Sequence, residues 1–224
     1  MRKESVRNKI KAGKGQGTGA AYQPFIGAGE SHSDGTTAEF RDWKTGRMIT
    51  CLSQGEKMFY HILRWNDDVV DIQEQYPLDN ALVDTVIAKL SDGASIYLPD
   101  DLEDNREPYT ADFLVTMANG DKRAFQVKRN EQQINTLHDK RRIAIEGTYW
   151  NCLHIPFKLI YADRINEIYY NNIARAVRYY DESNVFDDVS RYQHLVSTKQ
   201  VQIDMKNSLV DWKKAATEYF KDNG

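Results

Sequence analysis

Asp112, in Thr110-Ala111-Asp112-Phe113-Leu114-Val115, and Gln126-Val127-Lys128 further along form the most chemically suggestive spacing in the sequence. A carboxylate on one strand, then an acceptor and a lysine two residues apart on the next, can hold magnesium beside an activated water. Alternation along a strand puts Gln126 and Lys128 on one face and turns Val127 the other way, toward a core. If Asp112 shares that face, three functional groups converge. Two ordinary strands that each carry a polar residue fit the same pattern, so its meaning depends on the elements around it.

The turn between these strands is the first such element. Ala118-Asn119-Gly120-Asp121 contains Asn-Gly, the strongest short hairpin signal. A two-residue Asn119-Gly120 turn pairs Ala118 with Asp121 and hence Asp112 with Val127, leaving Gln126 and Lys128 on the face opposite Asp112. A shared site requires Asp112 opposite Lys128, through a three-residue loop or a bulge that shifts parity by one.

Upstream, apolar Phe59, Ile62 and Leu63 share one face of a helix that starts near Ser53, with Met58 and Trp65 flanking it. Ser53-Gln54-Gly55-Glu56 fits a capping box, in which Glu56 reaches back to the Ser53 amide. A Glu56 carboxylate bound to metal would compete with that role. Val69 to Leu78 leans toward a strand ended by Pro77. Residues 81–90 carry a weak helical pattern, and Ile96-Tyr97-Leu98 a short strand. The paired strands span 109–117 and 122–128. A helix from about Ile134 to Trp150 steps through Leu137, Arg141, Ile145 and Tyr149, and Phe157 to Tyr161 is a further strand. This order describes an α/β core with a mixed central sheet flanked by helices. Beyond Arg164, helical patterns around Ile165–Tyr180 and Val201–Phe220 predict a small C-terminal appendage.

Composition sets the outer limits. With 224 residues, of which 41% are hydrophobic, the chain is a folded protein with room for one sizeable core. Two cysteines, Cys51 and Cys152, supply neither a disulfide framework nor a zinc site, and point to a reducing, cytoplasmic compartment. No apolar stretch is long enough for a membrane span or a secretory signal. A net charge of -3 does not announce a nucleic-acid binder, yet Arg2, Lys3, Arg7, Lys9, Lys11 and Lys14 face only Glu4 at the N-terminus. That end reads either as a phosphate-contacting arm or as a solvated basic tail. Asp92 to Glu107 reads as an exposed acidic loop. Gly13, Gly15, Gly17 and Gly19 alternate without a preceding strand or a following Lys-Ser/Thr, so they form no nucleotide loop, and a flexible segment is expected. Lys140, Arg141 and Arg142 are candidates for phosphate contact as well as for an ordinary helix surface. His32, His61, His138, His154 and His194 lack the spacing of a metal or HNH-type site.

In these collinear blocks the chain resembles the TnsA family, the endonuclease subunits of heteromeric cut-and-paste transposases. The likeness covers roughly residues 8 to 165. It rests on Gly13 to Gly17 with Tyr22; Ser31-His32; Lys44-Thr45-Gly46-Arg47; Leu52-Ser53 to Glu56; Asp71-Ile72-Gln73-Glu74-Gln75-Tyr76-Pro77-Leu78; Asp112 to Val115; Gln126-Val127-Lys128; and Tyr149-Trp150 ahead of Ile155-Pro156. It implies a restriction-endonuclease-like α/β fold, and with the residue patterns above the chain is expected to divide into a basic glycine-rich arm over 1–40, a catalytic domain over 41–164 and a helical appendage over 165–224.

By the same resemblance, Glu56 and Asp112 match metal ligands, helped by Gln126 and the Val127 carbonyl, and Lys128 matches the catalytic lysine. Gln126 is a glutamine where most related nucleases carry an acid. The implied cofactor is Mg2+, with Mn2+ able to substitute. Implied partners are double-stranded DNA at transposon ends, a TnsB-like DDE transposase and a TnsC-like ATP-using regulator, and the implied reaction is nicking of the 5′, non-transferred strand. About 60 residues follow the core, which looks short beside the longer C-terminal domain of some members. Two alternatives stand beside this reading: a free-standing or phage-encoded nuclease of the same fold, and a non-catalytic DNA-binding assembly subunit.

Overall fold

In the computed structural model, which describes residues 5–27, 29–30, 36–91 and 106–223, the elements follow the sequence pattern closely through the middle of the chain. They are α1 (Val6–Lys11), β1 (Ala38–Arg41), β2 (Met48–Cys51), α2 (Gln54–Trp65), β3 (Val69–Pro77), α3 (Asn80–Leu90), β4 (Thr110–Met117), β5 (Lys122–Lys128), α4 (Leu137–Cys152), β6 (Phe157–Tyr161), α5 (Glu167–Ala176), α6 (Asp188–Ser197) and α7 (Trp212–Asn223). The strand expected at Ile96 to Leu98, Ser31-His32 and most of the acidic loop lie outside the described residues.

β3, β4, β5 and β6 form one mixed sheet in that order, antiparallel except for the parallel β5–β6 pair. A parallel pair needs a crossover, and α4 supplies it. Both faces of the sheet are covered, so β4 is buried almost throughout. Ile72, Phe113, Val115, Phe125 and Val127 pack under α2 against Phe59 and Tyr60. Leu114 and Ala124 face the other way, onto Val83 and Val86 of α3 and Ile145, Tyr149 and Trp150 of α4. The expected mixed sheet flanked by helices is therefore present.

The β4–β5 connection is the three-residue loop that a shared site requires. The Met117 N–H bonds the Asp121 carbonyl at 2.8 Å, enclosing Ala118, Asn119 and Gly120, with Gly120 at φ 87°. Phe113 pairs with Phe125 and Thr116 with Lys122. Continued one step, this register sets Asp112 opposite Gln126, not Lys128 as the spacing suggested; Lys128 lies two residues further along.

The N-terminal segment departs from the flexible arm expected. Gly13, Gly15, Gly17 and Gly19 all adopt positive φ, and a Cβ on Gly15 would stand 2.4 Å from the Pro77 ring. Only glycine permits this fit, and the loop runs along the free edge of β3. Gly19 N–H donates to Asp71, Gln73 donates to the Gly17 carbonyl, Tyr22 O–H to the Glu74 carbonyl, and Phe25 N–H to the Gln75 carbonyl. An edge that could pair with another chain is thereby covered. Lys9 is buried on Glu30 at 2.8 Å, and Lys14 reaches the same carboxylate at 3.4 Å, so these two charges are engaged inside the segment.

Two further departures concern helices. α4 starts at Leu137 behind a Thr136–Asp139 capping box, with Leu137 86% exposed; its buried face is Ile145, Glu146, Tyr149 and Trp150. The helix expected from Val201 begins only at Trp212, while α6 forms where no helix was read. Asn172 explains the first: its buried amide bonds the Met205 and Ser208 carbonyls and the Val210 N–H, so residues 205–210 hook onto α5. The C-terminal helices close over Trp65 of α2, in a core with Ile173, Tyr192, Val196, Met205 and Trp212. No helix among the described residues is long and apolar enough to cross a membrane.

A buried ion pair ties the β1–β2 hairpin to the sheet. Arg47 bonds both oxygens of Glu74, at 2.6 and 2.7 Å, and the Ile72 carbonyl at 2.9 Å. Glu74 is fully buried, so removing Arg47 strands a charge. Arg47→Met is expected to lose about 3–5 kcal/mol in urea denaturation, with part of the loss restored by adding Glu74→Gln.

Candidate active site

β4 and β5 pair regularly only as far as Phe113 and Phe125, and then part. At the next step the Val127 N–H bonds the Asp112 carboxylate, Oδ2 at 2.6 Å. Gln126 Nε2 takes the other oxygen, Oδ1, at 3.2 Å. The N–H and C=O of a strand residue point to the same edge, so the Val127 carbonyl also faces the gap. Its side chain lies in the core under α2, as alternation predicted.

A parity shift brings Asp112 within reach of both sides of the sheet. Ile72 and Tyr76 are four residues apart yet pack on opposite faces, and so do Ala111 and Phe113, two apart. The irregularity falls at Gln75, φ 48°, and at Asp112, the position across from it. Asp112 consequently lies at the parting of the strands, open to α2 on one side and α4 on the other.

Glu56 arrives from the α2 side. A Cβ on Gly55 would meet Ala162 at 2.6 Å and Val127 at 3.3 Å, so the bare glycine lets the first turn of α2 press onto β5. Ser53 caps the Glu56 N–H at 3.2 Å, and the Glu56 carboxylate folds back as the capping reading anticipated. Its partners differ from that reading: the Leu52 N–H at 2.9 Å and the Ser53 hydroxyl at 2.9 Å, not the Ser53 amide. Gln75 Nε2 adds a third bond at 3.1 Å. Capping and proximity to Asp112 thus coexist in one side chain.

From the opposite side α4 contributes Glu146, which the sequence reading missed. Glu56, Asp112 and Glu146 are 6%, 7% and 2% exposed, and this burial governs their protonation. Desolvation, reinforced by the neighbouring Asp112, pushes the Glu56 and Glu146 carboxyls up to about 8. Asp112 is also raised by burial, against the pull of Lys128 and the Val127 N–H. Glu146 was detectable as an acid on the same helix stripe as Ile145, Tyr149 and Trp150. Gln75 was visible within a motif but carried no assigned role.

These donors fit a hard divalent cation. Gln126 Oε1 is buried with no hydrogen-bond partner among the described residues, next to the Asp112 carboxylate. Asp112, Glu56, Gln126 Oε1 and the Val127 carbonyl are all oxygen donors. Only two of them are acids, and among the described residues no group of three or more His, Cys, Asp or Glu gathers as a metal cluster. Lys128 is half-buried, and its charge reaches both Glu56 and Asp112. Lys140 and Arg141 are exposed on α4, while the Arg142 guanidinium lies 5.5 Å from the centre of the Tyr109 ring. His61 is structural: its Nδ1 lies 2.8 Å from the Lys57 carbonyl, and burial lowers it to about 4.

A mixed sheet enclosed by helices, with carboxylates and a lysine gathered where two central strands part, defines a restriction-endonuclease-like protein. Residues 66–162 match the family model described as TnsA-like endonuclease N terminal. The transposon Tn7 transposition protein TnsA of Escherichia coli is 30% identical over 173 residues, which is 75% of this chain and 60% of that protein. The chain therefore spans about three fifths of the length of that curated relative. Over this central part the chain is similar to the TnsA-like endonucleases. The matched segment contains Gln75, Asp112, Gln126, Lys128 and Glu146, while Glu56 precedes it.

Raised carboxyls make a signed prediction. A fold that prefers the protonated acid has that contribution in full below the ordinary value of 4.5, and loses it as pH climbs through about 8. With chelator present, the melting temperature is expected to fall by roughly 5–10 °C between pH 5 and 8. Glu146→Gln should flatten that decline in scanning fluorimetry; an unchanged slope would remove Glu146 from the account.

Proposed function

We propose that the chain is a divalent-metal-dependent DNA endonuclease that nicks the 5′, non-transferred strand at transposon ends, as the TnsA-like subunit of a heteromeric transposase. The observation that carries this reading is the unpartnered Gln126 oxygen beside Asp112, in a gap also reached by Glu56 and Lys128. Strand choice, and the TnsB-like and TnsC-like partners, are supported by family resemblance. The proposal divides the chain into a 1–40 segment, whose residues 13–25 pack along β3, a 41–164 catalytic domain and a 165–224 helical appendage.

In this mechanism Asp112, Glu56, Gln126 and the Val127 carbonyl would hold Mg2+, for which Mn2+ could substitute. The ion would lower the pKa of a coordinated water and balance charge on the scissile phosphate. Lys128 orients the attacking water and stabilises the negative charge that develops on phosphate oxygens. Exposed Lys140 and Arg141 lie on the helix that borders the site, where they can meet the DNA backbone.

Neutral Gln126 leaves the pocket one charge short of an all-acid site. Metal binding is accordingly weak until a DNA phosphate brings the missing anion, which keeps the enzyme quiet before assembly. Free Cys51 and Cys152 accord with work in the cytoplasm.

The decisive experiment is Mg2+-dependent nicking of end-containing DNA, with and without the partner transposase. Asp112→Ala and Lys128→Ala are each expected to lower the rate by about 10²-fold or more. Unchanged cleavage in both variants would reject the mechanism. Vigorous cutting of unrelated DNA by the chain alone would favour the free-standing nuclease, and no divalent-metal binding would favour the assembly subunit.

A further inference from the structure

Gln75 is a non-glycine residue inside a strand that adopts the left-handed conformation, φ 48°, and it is 1% exposed. Such geometry is sparsely populated and persists only where surroundings enforce it. Its side chain spans the site: Nε2 donates to Glu56 Oε2 at 3.1 Å, and Oε1 accepts the Thr110 hydroxyl at 3.4 Å. The same residue stands across the β3–β4 pair from Asp112. In an uninterrupted strand Gln75 would point with Gln73, away from the face under α2. The positive φ re-aims it toward Glu56.

What enforces this conformation lies outside the sheet. Tyr22 O–H donates to the Glu74 carbonyl at 2.9 Å, and Phe25 N–H to the Gln75 carbonyl at 3.4 Å. These carbonyls belong to the two peptide planes flanking the Gln75 Cα. Fixing both planes fixes φ and ψ between them. Tyr22 is itself buried, with the Arg47 guanidinium 5.3 Å from its ring centre, and Arg47 grips Glu74.

We propose that Gln75 is a positioning residue that sets the placement of Glu56 and Asp112, and that the N-terminal loop, through Tyr22, holds Gln75 in the conformation this requires. The proposal deepens the nuclease reading and rests on it for its consequence on metal binding. It assigns the glycine-bearing segment a structural task at the site, in addition to any contact with DNA. Anything that lifts this segment from β3 would loosen both carboxylates.

Gln75→Gly keeps the backbone conformation at ease and deletes only the side chain. Gln75→Asn, also tolerant of positive φ, shortens it. Both variants and Tyr22→Phe should melt within a few degrees of wild type. Two readouts on the full chain decide the matter. In metal-free protein, the Leu52 and Val127 amides, which bond Glu56 and Asp112, should exchange hydrogen about 10-fold faster in Gln75→Gly. Mn2+ affinity in the presence of end DNA, by calorimetry, should fall at least ~10-fold, as for other residues that orient metal ligands. Gln75→Asn and Tyr22→Phe should move in the same direction by less. Unchanged exchange in Gln75→Gly overturns the proposal, and unchanged exchange in Tyr22→Phe alone overturns the role of the N-terminal loop. If wild type binds no Mn2+, the nuclease reading fails, while amide exchange still judges the positioning role.

Discussion

One hydrogen bond organises the centre of this molecule: the Val127 main-chain N–H donates to the Asp112 carboxylate at 2.6 Å, where β4 and β5 cease to pair. A bond to a charged acceptor is stronger than the neutral ladder bond it replaces. Strand separation is therefore satisfied locally and need not disrupt the sheet. Parting the strands opens a gap at their ends, turns the Val127 carbonyl toward it, and leaves the Gln126 oxygen without a partner. Helices on both faces shield the gap; burial raises Glu56 on one side and Glu146 on the other, while Lys128 and the Val127 N–H oppose its effect on Asp112.

The surrounding structure can be understood as support for that gap. Gly55 allows α2 to bring Glu56 close. On the far side, α4 carries both Glu146, facing the gap, and the exposed basic residues beside it. Arg47 and the glycine-bearing N-terminal segment clamp β3 from outside, at the residues where its parity changes. The C-terminal helices pack over Trp65, on the side of α2 turned away from the sheet. α2 thus joins the site to the C-terminal helices through opposite faces of one helix.

Much of the frame was legible because it depends on local chemistry. The Ser53 cap, the order of strands and helices from β3 to β6, and the hairpin at Asn119-Gly120 all follow from spacing a few residues long. Three things escaped for the converse reason. The 205–210 loop depends on Asn172, a polar side chain on a helix more than thirty residues away. The alternating glycines look like flexibility in one dimension, but their positive φ values match the surface of Pro77 and β3. Gln75 carries no spacing that marks it until the fold buries it, and Glu146, though on the apolar stripe of α4, becomes a site group only once α4 packs on the sheet.

By itself, then, the sequence determined which groups were available for chemistry: Glu56, Asp112, Gln126 and Lys128, with a loop able to bring the two strands into register. Their types and local spacing are written along the chain. Only the tertiary structure decided that Asp112 lies opposite Gln126, that Glu56 meets it from across the sheet, and that Gln75 and Glu146 complete the surroundings. Those outcomes turn on a parity change held by residues about fifty positions away and on burial from both faces, and neither is a property of any single stretch of sequence.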